Sequence, residues 1–307
     1  MPITSIFLIL LTFIVDFIPY YIFWLVMYGV AEMIWGVSTV ASYGSEANLV
    51  FQFTMLSLLI PGTLSLVGFM QSYFVWSTGA RTAVGPDYDR LYPLLEEICQ
   101  RGNLDVSRFR LYVQENPDVN AMAMGNKHII ITRGSLIHLN DTELIGMMAH
   151  EMGHLQHGHT MVLLFTLGMS WFAGIVCHVY NFMAFLCRLV AWIPFLGWIV
   201  NIMMWIIILQ HNIFARITGF PMFFINQFGA RRHEYEADRY ACEIGLGKNL
   251  ALSFCHMQLL FGEMKQGFFT NLFCDHPDMT KRIIRVEKYI GESVRETYPS
   301  LAQRSDS

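Results

Sequence analysis

The chain has 307 residues, 54% of them hydrophobic and only 14% charged, with a mean hydropathy of +0.41. An ordinary soluble protein carries roughly 25% charged residues, so this composition excludes one. The net charge of −4, with no basic run and no aromatic–basic alternation, gives nucleic acid no footing.

The charges are missing in blocks. Residues 3–36 form a long, largely apolar run interrupted by Asp16, Pro19 and Glu32. That stretch is too long for the apolar core of a cleavable signal and has no basic start. No Asp, Glu, Lys or Arg falls between Glu46 and Arg81, and only Arg188 falls between Leu155 and Ala215. A span needs about 20 apolar residues to cross some 30 Å of hydrocarbon, so spans are predicted at roughly 3–36, 50–76, 161–186 and 189–211. Tyr20, Tyr21, Trp24, Tyr73, Trp76, Trp192 and Trp198 are candidates for interfacial belts. Arg81, Arg90 and Arg101 follow the second span, and Arg216, Arg231 and Arg232 follow the fourth. The positive-inside rule therefore puts the parts between and after the span pairs in the cytoplasm, outvoting Arg188 at the tip of the 161–211 hairpin.

The polar pieces carry soluble structure. A helix is predicted near Asp87–Gln100, followed by strands at Phe109–Val113, Asn120–Met124 and His128–Thr132, the last two joined by a hairpin at Gly125-Asn126-Lys127. Asn140 or Asp141, with acids in the next turn, caps a helix. Helical runs follow near 227–245, 248–263 and 277–290. The divisions are 1–80 with two spans, 81–160, the membrane hairpin 161–216, then 217–291 and a polar, fraying tail over 292–307. The six cysteines form no C-x-x-C pair and read as free thiols in a reducing compartment.

The chemistry is concentrated at His150-Glu151-Met152-Gly153-His154. On a helix, residues i and i+4 share a face, so both imidazoles can reach one metal ion. Glu151 stands beside the first of them as a base for a metal-activated water. A third ligand is still needed. Thr160 occupies the place of a metzincin's third histidine and His157 that of its glycine, which excludes that subclass. Arg231-Arg232-His233-Glu234-Tyr235-Glu236-Ala237-Asp238 offers a carboxylate. Glu234 and Asp238 share a face, whereas Glu236 projects about 200° from Glu234; spacing alone does not choose between the two glutamates. His157 lies about 20° from His150 around an ideal helix.

Several further segments carry a resemblance. They are Asn120-Ala121 with Gly125, Ile131-Thr132-Arg133-Gly134, Glu143-Leu144 ahead of the H-E-x-x-H, Glu234 to Asp238 as an E-x-x-A-D segment, and His276-Pro277 with Arg282. Over essentially its whole length the chain resembles the HtpX-like membrane zinc peptidases, relatives of the CAAX prenyl proteases. The resemblance implies an α+β, mainly α-helical fold, with about four transmembrane helices and a gluzincin-type peptidase domain holding a small β-sheet. It implies one zinc ion on His150, His154 and Glu234, Glu151 as base, Asp238 bonded to a ligating histidine, and His276 and Arg282 near the transition state. It does not use His157, and His159 matches a frequent family histidine read here as structural.

The resemblance also implies a bacterial inner-membrane enzyme facing the cytoplasm that clips misfolded membrane proteins in quality control. Its partners would be polypeptide substrates and the bilayer. Asn120, Ala121, Met122, Ala123 and Met124 are the candidate edge on which an extended substrate would add as a strand. Two other classes compete. A metal transporter or sensor calls for paired ionisable groups within the spans, and Asp16, Glu32 and Arg188 form no such pair. A catalytically silent scaffold would be expected to have lost Glu151 or a ligand.

Overall fold

Helix α1 (Ile3–Trp35) runs unbroken through Pro19 and is followed by α2 (Tyr43–Ser65) and α3 (Gly68–Ser77). The computed structural model describes residues 3–35, 43–190, 230–261 and 279–295, with scattered residues between 192 and 212. The chain forms two compact units, one of Pro2–Val67 with Leu163–Ile225 and the other of Gly68–Val162 with Asn226–Ser307.

In the first unit, α1, α2 and most of α7 (His159–Val190) pack on one another. Among the described residues three stretches are long and apolar enough to cross a membrane: Ser5–Gly29, Ala47–Ser65 and His159–Leu186. Ile6, Leu10, Ile14, Ile18, Ile22 and Leu25 are exposed along α1, the outer surface that lipid covers. Polar contacts tie α1 to α7. Ser170 donates to Asp16 at 2.7 Å, and the Tyr20 hydroxyl donates to Met169 O at 3.0 Å while accepting from Ala173 N at 2.8 Å.

Two expectations change here, and a third goes untested. The span expected at 50–76 begins earlier and breaks after Ser65. Pro61 removes one helix donor, and Thr63 and Ser65 turn their hydroxyls onto backbone carbonyls, Ser65 reaching Leu164 O on α7 at 2.8 Å. Tyr20 and Trp24 are no interfacial belt. Tyr20 is fully buried, and Trp24 donates to Ser57 at 2.8 Å and stacks on Phe53 and Phe172. The fourth expected span, 189–211, falls largely outside the described residues.

The second unit holds a four-stranded sheet of β1 (Arg81–Thr82), β2 (Arg110–Gln114), β3 (Ala121–Met124) and β4 (His128–Thr132), in the order β1-β2-β4-β3. β2 and β4 run parallel, and the β3–β4 hairpin pairs Ala121 with Ile131 and Met124 with His128. Ile129, Ile130 and Ile131 are fully buried, as the apolar run of a central strand requires. Two short elements have no sequence signal: β1, and α5 (Arg133–His138). Thr132 caps α5 through Ser135 N, and its hydroxyl also accepts from Asn120 N at 3.0 Å. That explains a Thr-Arg-Gly at the end of β4, since Arg133 at the same point pairs bidentately with Asp87 on α4 (Pro86–Arg101) at 2.8 and 2.9 Å.

The centre of this unit is α6 (Asp141–His157), packed against α4, β3, α8 (Ala230–Glu243) and α9 (Gly247–Phe261), with α10 (Met279–Ile290) against α8 and α9. A helix enclosed on every side has little polar face, and α6 is buried almost continuously from Glu143 to Gly153. Leu144, Met148 and Met152 anchor it in the core with Leu91, Leu95, Ile98, Ala241, Leu250 and Ile283. Burying so long a helix in a shared core holds it in one rotation about its axis, and that rotation positions the site.

Candidate metal centre

Helix α6 starts at a capping box. The Asn140 side chain accepts from Glu143 N, and the Glu143 carboxylate accepts from Asn140 N, each at 3.0 Å. The same carboxylate lies 3.0 Å from His256 Nδ1. The helix ends at Gly158, which adopts φ 71°, a left-handed conformation that favours glycine. The N-terminus is thus pinned and the C-terminus sharply turned. His150 and His154 lie between them on one face.

Helix α8 comes against that face at a close crossing. A Cβ on Gly153 would lie 2.8 Å from Ala237 Cα and 2.9 Å from its carbonyl oxygen, so only glycine admits the second backbone. Gly146, two turns earlier, plays the same part toward the Asn249-Leu250 backbone of α9. The approach brings Glu234 and Asp238, one turn apart, onto the two histidines. His150 Nε2 and His154 Nε2 are 3.2 Å apart. The Glu234 carboxylate straddles them, with Oε2 3.4 Å from His150 Nε2 and Oε1 3.3 Å from His154 Nε2.

These separations test the fit of a metal. Three corners of a tetrahedron with bonds of about 2.0–2.1 Å are about 3.3 Å apart, which is the spacing observed. Charge gives a second test. Among the described residues, Glu151, Glu234 and Asp238 are buried with one buried cation, Arg282. Three carboxylates against one guanidinium leave two negative charges in a dry site, the imbalance a divalent ion would neutralise. The donor set, two imidazoles and a carboxylate, suits zinc.

Several further contacts hold the cluster together. His150 turns Nδ1 to Asp238 Oδ1 at 2.9 Å. Arg282 binds Asp238 through Nε at 2.9 Å and Nη2 at 2.6 Å, and Glu234 through Nη1 at 2.7 Å. Its guanidinium also lies over the Phe254 ring at 4.3 Å. Burial works against the Arg282 charge, but Asp238, Glu234 and Glu151 outweigh it and raise its basicity. Burial likewise opposes the Asp238 carboxylate, yet Arg282 and His150 hold it below its usual range. His150 shows the excess of negative charge. Burial and Arg282 press it down, but Asp238 and Glu234 prevail and push it up to about 9.

The close crossing gives a prediction. A glycine-to-alanine change inside a helix ordinarily favours the helix by about 1 kcal/mol. Gly153→Ala is expected to do the reverse, because its methyl meets backbone and α8 must move away. Overpacking costs of about 1–3 kcal/mol apply, and the bound metal should fall as Glu234 retreats. Thermal unfolding and elemental analysis check this; an unchanged melting temperature with full metal content would refute it.

The other expected residues fall as follows. His150, His154, Glu234, Asp238 and Arg282 come together, with Glu151 buried beside His150 on α6. His276 lies outside the described residues. His157 stays off the cluster, its Nδ1 2.8 Å from Gly153 O. Residues 121–124 form β3, which among the described residues pairs on one side only. Thr132 N donates to Asn120 O across the hairpin. By antiparallel alternation, the backbone groups of Ala121 and Ala123 then point to the other side. Residue order marks His159 as structural and leaves Glu236 open only as an alternative ligand to Glu234, with no link between His159 and Glu236. In the structure His159 Nδ1 lies 3.1 Å from His154 Nδ1, and His159 Nε2 lies 3.0 Å from Glu236 Oε2. A five-residue separation has no meaning on a straight helix, and only the left-handed turn at Gly158 brings His159 back.

Fold and cluster together define a class: a helical membrane protein carrying a site of metallopeptidase type. The model of peptidase family M48 matches residues 89–290, more than half of the chain and all of the cluster, and the chain belongs to that family. Its relatives include proteins named protease HtpX homolog. The one from Aquifex aeolicus is 26% identical over 147 residues, covering 47% of this chain and 45% of that protein. The one from Tropheryma whipplei strain Twist is 26% identical over 236 residues, covering 70% and 77%. The first of these matches thus spans about half of the relative's length. The crystal structure of S. mikatae Ste24p shares the fold, with a TM-score of 0.52 at 17% identity over 85% of this chain and 67% of that one. The chain is an integral membrane protein by its long apolar helices.

Proposed function

We propose that the protein is a zinc-dependent endopeptidase of the membrane, with His150, His154 and Glu234 as the metal ligands and Glu151 as the general base. The observation that carries this reading is the triangle of ligand atoms, 3.2–3.4 Å on a side, next to a buried glutamate. Zinc in that site supplies Lewis acidity to the scissile carbonyl and to the attacking water. Glu151 takes the proton of that water and returns it to the leaving amine. Asp238 accepts from His150 Nδ1, which keeps Nε2 free to ligate. Arg282 binds both acids and so fixes the carboxylate ligand; that is its first part here, ahead of any contact with the reacting atoms.

The free side of β3 supports an extended polypeptide as substrate. Ala123 can offer its N–H there, and Ala121 and Ala123 their C=O groups, while the Ala121 N–H is held by Asn120 Oδ1 at 2.9 Å; backbone pairing of this kind tolerates many sequences. Such tolerance suits an enzyme that clips misfolded membrane proteins, the quality-control reading, with the catalytic unit in the cytoplasm of a bacterial cell by the charge of its flanks. Cleavage of an unfolded reporter by the purified protein, with and without a chelator, tests the core of the proposal. Chelator-insensitive cleavage would overturn the metal's part in it, and no cleavage would overturn it in favour of a metal sensor or an inactive scaffold.

His276 precedes Pro277, a residue suited to the first turn of a helix. As the donor to the developing oxyanion, it should cost roughly 10²–10³ in kcat when replaced by alanine, with zinc content and KM little changed. Lost zinc with the remaining folded enzyme still fast would assign it to structure instead.

A further inference from the structure

Glu236 and His159 stand outside the ligand set, yet both touch it. His154 presents Nε2 to the cluster and turns Nδ1 to His159 Nδ1 at 3.1 Å. His159 passes the contact on, with Nε2 3.0 Å from Glu236 Oε2. The other Glu236 oxygen, Oε1, is held by Arg232 Nε at 3.0 Å. His159 is buried, and His233 lies flat against its ring, with centroids 3.9 Å apart and planes 12° from parallel. This ring has little freedom to turn.

We propose that Glu236, acting through His159, is the positioning residue for the second histidine ligand, as Asp238 is for the first. The inference rests on the zinc-site reading above. If Nε2 of His154 ligates, its proton must sit on Nδ1. That N–H donates to His159 Nδ1, which must therefore be bare, so the His159 proton sits on Nε2 and donates to Glu236. One carboxylate at the end of the line thus sets both tautomers. Without it, His159 is free to carry its proton on Nδ1, and two N–H groups would face each other across 3.1 Å. The arrangement is the carboxylate–histidine–metal pattern with one imidazole inserted. Glu236 reaches the centre from the side of α8 that an ideal helix turns away from it, because α7 brings His159 across to meet it.

The test is zinc affinity, measured by chelator competition on the purified full chain. Glu234→Ala serves as the control for the site itself. Glu236→Ala and His159→Phe are expected to weaken zinc by roughly 10–100-fold, the usual cost of losing an outer hydrogen-bond partner. Glu236→Gln, whose amide oxygen still accepts from His159, should recover most of that loss, which a merely structural role for the side chain would not predict. Because a buried ring is replaced in His159→Phe, the partly exposed Glu236 carries the decision. Wild-type affinity in Glu236→Ala, while Glu234→Ala loses zinc, would overturn the relay and leave the site standing. Normal zinc in Glu234→Ala would instead overturn the site on which the relay depends.

Discussion

Glu151→Gln is expected to retain fold and zinc but to lose peptide hydrolysis. The side chain is buried on α6 beside His150 and is not one of the three atoms of the ligand triangle. Glutamine keeps its size and its acceptor oxygen, so packing and metal content should hold. What disappears is the ability to accept a proton and hand it back, and general acid–base catalysis is worth roughly 10²–10⁴ in rate. With packing unchanged, the stability of the variant should stay close to the parent's. Steady-state cleavage of an unfolded reporter, with zinc content measured on the same sample, decides the matter. Near-parental turnover at full zinc occupancy would end the mechanism.

Glu234→Ala is expected to empty the site. It removes the carboxylate that touches both histidines, at 3.4 and 3.3 Å, and leaves two imidazoles, too few for a structured zinc site. It also strips Arg282 of its 2.7 Å partner, while Asp238 stays at 2.6 Å. The loss of zinc affinity should exceed the roughly 10–100-fold expected when an outer partner is lost. The order Glu234→Ala well below Glu236→Ala, and that below the parent, is the signature of a ligand and a residue acting through another. Elemental analysis of purified variants reads it directly. Equal zinc in the Glu234→Ala variant and the parent would remove Glu234 from the ligand set.

Some of this was legible in residue order because its cause is local. The charge-free blocks announce a membrane whatever the packing. The Asn140/Glu143 cap, the i,i+4 placing of His150 and His154, and the hairpin turn at Gly125 each depend on a few adjacent residues, and the helix and strand types around them followed. Where backbone polarity rather than hydropathy decides, the reading failed. The break after Ser65 lies in an uncharged apolar run, and the strand Arg81–Thr82 exists only because β2 is there to pair with it.

The choice between Glu234 and Glu236 was open from spacing alone and needed the tertiary structure. Both glutamates sit two residues apart on α8, and the crossing at Gly153 and Ala237 decides which faces the imidazoles. The left-handed turn at Gly158 decides that the other is still connected to them, through His159. Close approach between helices some 80 residues apart is a property of how cores fill space, and local spacing carries no record of it.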